Sequence, residues 1–290
     1  MKKILIDTDI GGDIDDALAL ALALNSPEVE IVGISTVYLG IEWRTNLTKN
    51  MLNIFGRGDI PVAMGAGKPL NGWWDESRIP DSGKTFSTDL VTGRKIPCAS
   101  RFIIEQCEKY GDSLTVAAIG PLTNVGLALA QAPHIAGHMH IVLMGGQVTK
   151  AHPEWNILCD PEAARIVFES GADIRMVGLD VTNLCTFDHE DIESIKRVGN
   201  PRTELLSEML EKFLKEFPFM PVLHDPLALA TLIWEDLTAW EKKRILIETG
   251  GVYSRGLTID CDWESGENAW VCTSVKAEEF KRRLLERITA

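Results

Sequence analysis

The chain has 290 residues, 45% of them hydrophobic, with 29 basic against 42 acidic side chains and a net charge of −13. That is enough apolar material for one large core, and the expected organisation is a single domain over residues 1–290. The acidic balance without a long basic run excludes a nucleic-acid backbone as partner and argues equally against a multiply phosphorylated substrate.

No stretch reaches the roughly 20 apolar residues of a membrane helix, so no membrane is expected as partner. The N-terminus enters a strand directly, with no charged-then-apolar leader pattern. Six scattered cysteines, at 98, 107, 159, 185, 261 and 272, form no CxxC or Cys/His pattern. Reduced thiols in a cytoplasmic protein are the expectation.

In chain order, Ile4-Leu5-Ile6 reads as a buried strand, and the periodic apolar run from Ala17 reads as a helix lying on a sheet. Val29–Val37 is a second strand, Glu42–Phe55 a helix, and Ile60–Met64 a short strand after a Gly-Arg-Gly turn. From Gly65 to Pro97 the pattern dissolves around Trp73-Trp74, in the manner of a long surface loop or an active-site lid. Ala99–Lys109 is helical, Leu114–Ile119 a strand, Gly120-Pro121 opens a helix, and His138–Leu143 is a strand stopped by Gly145-Gly146. Asp160 caps a helix over Pro161–Ser170 with proline at its first position, and Ile174–Leu179 is the next strand. Helices follow over Asp188–Val198, Arg202–Glu216 and Pro226–Trp234, then strands over Arg244–Glu248, Leu257–Asp260 and Ala269–Thr273, and a last helix over Lys276–Ile288. Alternating strands and helices predict an α/β fold, a mostly parallel open sheet covered by helices on both faces in a Rossmann-like core. The last strands lack intervening helices and predict an antiparallel edge near the C-terminus.

The densest chemistry lies between the first strand and the first helix. Asp7, Asp9, Asp13, Asp15 and Asp16 are interleaved with Gly11 and Gly12. Two of these carboxylates would sit on the positive end of a helix dipole, worth roughly 0.3–1 kcal/mol each. The remaining repulsion calls for a cation, and carboxylate oxygens select a hard one, calcium or magnesium rather than zinc. An EF-hand loop is excluded, because its fifth position would be Gly11 and its bidentate twelfth Leu18. Neither GxGxxG nor GxxxxGK[ST] follows a strand. An aspartyl-phosphate phosphatase, with Asp7 as nucleophile, matches only over Asp7-Thr8-Asp9.

Asp7-Thr8-Asp9 with Asp13 and Asp15-Asp16-Ala17 resembles the N-terminal signature of the inosine–uridine-preferring nucleoside hydrolases, in a lengthened form with Ile10 in place of proline. The resemblance continues through Gly120-Pro121-Leu122-Thr123-Asn124, Met144-Gly145-Gly146, Glu154-Trp155-Asn156, Asp160-Pro161-Glu162-Ala163-Ala164, His224-Asp225-Pro226 and Ser254–Thr258.

The resemblance implies calcium, with magnesium the weaker candidate, held by Asp9, Asp16, Asp225 and the backbone carbonyl of Thr123. It implies a ribonucleoside or related ribosyl compound contacted by Asp15, Met144, Glu154, Asn156 and Asp225. Asp9 is the implied general base, acting on a water oriented by the ion, and His224 the implied partner of the leaving base, with a pKa suited to neutral pH. The reaction is hydrolysis of the N-glycosidic bond, and homodimers or homotetramers are the family's common assemblies. The bland readings stand beside these: Asp225 before Pro226 and Thr123-Asn124 after Gly120-Pro121 are also fit to cap helices.

Three departures bear on substrate choice. Leu39-Gly40 stand where relatives often carry Gly-Asn. The 65–97 loop has no histidine. The segment before Asn156 is short and offers Lys150 and His152 in place of another asparagine. A non-catalytic relative that binds metal and a ribosyl ligand is the alternative those departures favour.

Overall fold

The structure is a computed structural model and describes residues 1–72, 82–87, 96–263 and 266–290. Trp73-Trp74 and most of the anticipated loop therefore lie outside the described residues.

Strand β1 (Lys2–Thr8) pairs in parallel with β2 (Val29–Thr36) on one side and β4 (Leu114–Ala118) on the other. Beyond β2 lies the short β3 (Val62–Met64), and beyond β4 come β5 (His140–Met144), β6 (Asp173–Val177) and β10 (Ala269–Val275), all parallel. The order is β3-β2-β1-β4-β5-β6-β10-β7, closed by β7 (Thr238–Lys243), which runs antiparallel to β10.

Alternate residues of one strand serve two cores, which is why the strands read as continuous apolar runs. Ile4 and Ile6 join one core and Leu5 the other, as do Val142 and Leu143. The first core holds α1 (Asp15–Leu24), α2 (Ile41–Ile54), α8 (His189–Val198), α9 (Pro201–Glu216), α10 (His224–Ile233) and α11 (Ala277–Ile288). The second holds α3 (Ala99–Tyr110), α4 (Thr123–Gln131) and α6 (Pro161–Glu169). Helix α1, buried along nearly its whole length, carries its charges only in its first turn. Between these lie two short helices, α5 (Trp155–Cys159) and α7 (Leu179–Thr182).

The antiparallel edge exists but differs from expectation. It is formed by β7, which the sequence reading passed over, while Ala269–Val275 joins β6 in parallel. The strands anticipated near 244–248 and 257–260 leave the main sheet and pair with each other as β8 (Ile245–Ile247) and β9 (Thr258–Asp260). Glu154-Trp155-Asn156 opens α5, with the Glu154 carboxylate accepting from the amides of Asn156 and Ile157. Among the described residues no helix is long and apolar enough to cross a membrane.

The chain leaves β1 toward β2 and β3, then returns to the other side of β1 at β4. That reversal opens a crevice at the carboxyl ends of β1 and β4, where ligands bind in open α/β sheets. The aspartate turn begins there.

Candidate metal and nucleoside site

Asp15 and Asp16 occupy the first turn of α1, and Asp225 the first turn of α10, which packs along α1. Ligand oxygens of these three buried residues lie within 4.8 Å of one another. The backbone amide of Asp225 points at Asp15 Oδ2, at 3.4 Å. Thr8 donates its hydroxyl to Asp16, so the last residue of β1 orients a carboxylate of α1. Burial first, and the neighbouring carboxylates second, raise Asp15, Asp16 and Asp225 well above the ordinary carboxylate range. Asp225 is inside its helix rather than capping it, since the N-cap is Leu223 without a side-chain bond. The capping reading of Asp225 is therefore set aside.

Asp9 is an electrostatic neighbour of all three, but it is not among the carboxylates whose oxygens lie within 4.8 Å of one another. Its Oδ1 is 2.7 Å from where a Cβ on Gly120 would lie, so the glycine at the end of β4 leaves room for it. Burial raises Asp9, and Arg44 opposes that rise. Asp13 is raised by burial to about 6.

Asp7 has a different place. It is wholly buried, with Oδ1 accepting from Ser35 Oγ at 2.5 Å and Asn124 Nδ2 at 2.8 Å. Its Oδ2 has no hydrogen-bond partner among the described residues, and burial pushes the carboxyl up to about 7. A carboxylate so enclosed is badly placed as a phosphoryl acceptor, against the phosphatase reading.

Thr123 does not cap α4. Its hydroxyl donates to Asp160 Oδ2 at 2.7 Å, and Asp160 also accepts from the amides of Leu70 and Ala163. Asp160 is thus the expected cap of α6 and, beyond that, a tie between the segment after β3 and α4. Asn124 bonds the Thr36 carbonyl at 3.0 Å and receives the Ala66 amide at 2.8 Å.

Met144 ends β5 and is buried at the rim. Asn156 donates to the carbonyls of Ile119, at 3.0 Å, and Met144, at 3.2 Å, joining the ends of β4 and β5. Glu154 accepts from Gly146, Asn156 and Ile157 and is raised by burial. Lys150 and His152 are exposed on the intervening loop.

His224 opens α10, with Nδ1 2.7 Å from the Thr182 hydroxyl. Desolvation lowers it to about 4, so the ring is neutral at neutral pH, contrary to the pKa anticipated for it.

Sequence reasoning missed Arg44. It is fully buried in α2, donating from Nε to the Leu39 carbonyl at 2.7 Å and from Nη1 to the Ile10 carbonyl at 2.9 Å. Its guanidinium lies over Trp43, 4.6 Å from the ring centre, and over Tyr38, at 5.7 Å. Tyr38 adopts a left-handed backbone (φ 75°), costly for an aromatic residue, and packs edge-on against Trp155.

The lengthened turn has a visible use. Gly83 donates to the Gly11 carbonyl at 3.0 Å, and a Cβ on Gly83 would fall 2.4 Å from Gly11 Cα. Part of the segment between β3 and α3 thus seats directly on the aspartate turn. A hollow of about 400 Å³ lies elsewhere, at the opposite ends of β6 and β10, and contains none of these residues.

The converging donors are anionic oxygens, raised by burial and mutual repulsion, and a hard divalent cation fits such a set.

The family model described as inosine-uridine preferring nucleoside hydrolase matches residues 4–282. The pyrimidine-specific ribonucleoside hydrolase RihA of Escherichia coli O7:K1 is 33% identical, over 98% of this chain and 97% of its own. Uridine nucleosidase 1 of Arabidopsis thaliana is 32% identical, over 93% and 86%. Among solved structures, the purine-preferring ribonucleoside hydrolase from Gardnerella vaginalis superposes with a TM-score of 0.90 at 28% identity, covering 99% of this chain and 98% of that one.

Proposed function

The chain belongs to the inosine-uridine preferring nucleoside hydrolase family, and on that premise we propose that it hydrolyses the N-glycosidic bond of a ribonucleoside with Ca²⁺ held at Asp9, Asp16, Asp225 and the Thr123 carbonyl. The observation that carries this reading is the convergence of Asp15, Asp16 and Asp225 at the crevice beside β1. Asp15 shares that cluster, so it is close enough to serve the ion as well as the ribose hydroxyls assigned to it. The relatives' names divide between pyrimidine, uridine and purine preference.

N-glycosidic cleavage passes through an oxocarbenium-like transition state. The surrounding carboxylates favour positive charge on the ribosyl ring. A divalent ion, when bound, supplies charge that acidifies and orients water. Asp9, half-buried beside Gly120 and close to the other carboxylates, is assigned the proton from that water. Glu154 and Asn156 line the ribose side. Their backbone bonds hold them rigidly, which suits orientation of hydroxyls. The Thr182 hydroxyl can donate to Nδ1, and in that tautomer neutral His224 carries its proton on Nε2, where it is assigned a hydrogen bond to the departing base.

The six unpaired thiols are consistent with a reducing, cytoplasmic setting, and exposed Val252 and Tyr253 offer apolar surface for a homodimer or homotetramer. Incubation with a panel of purine and pyrimidine ribonucleosides, assayed for reducing sugar, is expected to release ribose. Chelator is expected to stop the release and calcium to restore it, and Asp9→Ala to abolish it without loss of the fold. No release from any nucleoside at high enzyme concentration would overturn hydrolysis and leave the metal- and ribosyl-binding relative.

A further inference from the structure

Arg44 is a buried cation at the joint between the two turns that build the site. One arm of its fork holds the Ile10 carbonyl, in the turn that carries Asp9 and Asp13. The other holds the Leu39 carbonyl, between left-handed Tyr38 and left-handed Gly40. A Cβ on Gly12 would stand 3.8 Å from both terminal nitrogens, so the guanidinium lies within the lengthened turn itself. The aromatic faces of Trp43 and Tyr38 enclose it.

Full burial of a guanidinium costs several kcal/mol unless charge and hydrogen bonds offset it. Two carbonyls supply hydrogen bonds but no net charge. Asp9 and Asp16 supply opposing charge that offsets part of that cost, while burial still holds Arg44 below its usual range. Reciprocally, a turn crowded with carboxylates gains a fixed positive charge that no chelator removes.

We propose that Arg44 is a positioning residue that serves as the built-in counter-cation of the aspartate site, holding the Asp9–Asp16 turn in place when no ion is bound. The proposal rests on the ion-binding half of the function proposed above and is independent of the hydrolytic half. It implies that the ion-free protein leans on Arg44 more heavily than the ion-loaded protein does. A residue with only a packing role would matter equally in both.

The test compares melting temperatures at pH 8 in chelator and in calcium for the wild type, Arg44→Gln and Arg44→Lys. Arg44→Gln is expected to widen the calcium-minus-chelator gap by about 5 °C or more, because the ion replaces the missing charge. Arg44→Lys keeps the charge and loses the fork, so its gap should stay within about 2 °C of wild type even if both its melting points fall. Equal losses with and without calcium in Arg44→Gln, or an equal widening in Arg44→Lys, would overturn the proposal.

A second measurement needs no ion. In chelator, Asp9→Asn should reduce the destabilisation caused by Arg44→Gln, since one negative charge has gone with the positive one. Additive losses overturn the counter-cation role, as does failure of the double variant to fold where Arg44→Gln alone also fails. If calcium does not raise the wild-type melting point, the metal reading fails by itself, and this cycle still decides the role of Arg44.

Discussion

At the residue scale, the site is held by polar side chains that each serve several segments. Asn124 is the clearest case: it bonds Asp7, the Thr36 carbonyl and the Ala66 amide, and is itself buried. Asn124→Ala would strand the Thr36 carbonyl and the half-buried Ala66 amide, and would leave Asp7 Oδ1 with Ser35 alone while Oδ2 already lacks a partner. At about 1–3 kcal/mol for a stranded buried group, partly relieved by relaxation, the loss should be on the order of 3 kcal/mol. Urea unfolding checks this, and a loss below about 1 kcal/mol would show that water replaces the amide. Such hubs were poorly legible beforehand. A run of aspartates is conspicuous because repulsion makes it improbable without a reason. Asn124 and Arg44 sit in ordinary helical windows, and only the tertiary fold reveals that both point inward. The pKa of His224 was likewise hidden, because desolvation is a property of the packed site.

At the element scale, local signals read well where capping chemistry is explicit. Asp160-Pro161 starts α6 as anticipated, and Asp188 and Asn200 close capping boxes at α8 and α9. Strand β7 was missed because its TAWEKK sequence buries little, and an edge strand has only one neighbour to satisfy. Its lysines suit an edge, discouraging pairing with a further strand. Strands β8 and β9 had the right composition, but composition cannot say which sheet a strand joins. The last helix, α11, is latched by ions: Arg287 grips Glu28 through bonds of 2.6 and 2.9 Å, and Arg283 grips Asp236 through two of 2.8 Å. Hydrogen bonding to Arg287 holds Glu28 below its ordinary 4.5. The folded pKa is depressed, so this pair's contribution is present above pH 4.5 and is lost as pH falls through the lower folded value. Protection of the α11 amides, taken relative to the intrinsic exchange rate at each pH, should therefore fall in acid below that point, and Glu28→Gln should remove this part of the pH dependence. Exchange in Glu28→Gln that tracks wild type at every pH would refute the latch. The pair is partly solvated, so the effect is modest.

At the scale of the whole molecule, the sheet order places the aspartate turn at the reversal between β1 and β4, and a mostly parallel sheet was legible from strand–helix alternation. What alternation did not show is when the site comes into being. Asp15 and Asp225 are 210 residues apart, and the second arrives only when α10 has packed along α1. Closing so long a loop belongs late on the path to the native state. A ligand that needs both ends of that loop finds no binding place in the early collapsed chain or in a transition state that lacks α10. Calcium should therefore leave the refolding rate nearly unchanged and slow unfolding, so that its whole stabilisation appears in the unfolding limb of a chevron. Stopped-flow refolding that accelerates with calcium would mean that α10 docks early. In the first case, the ion acts as a bolt shot home after the door has closed, and it guards the lifetime of the folded enzyme rather than its birth.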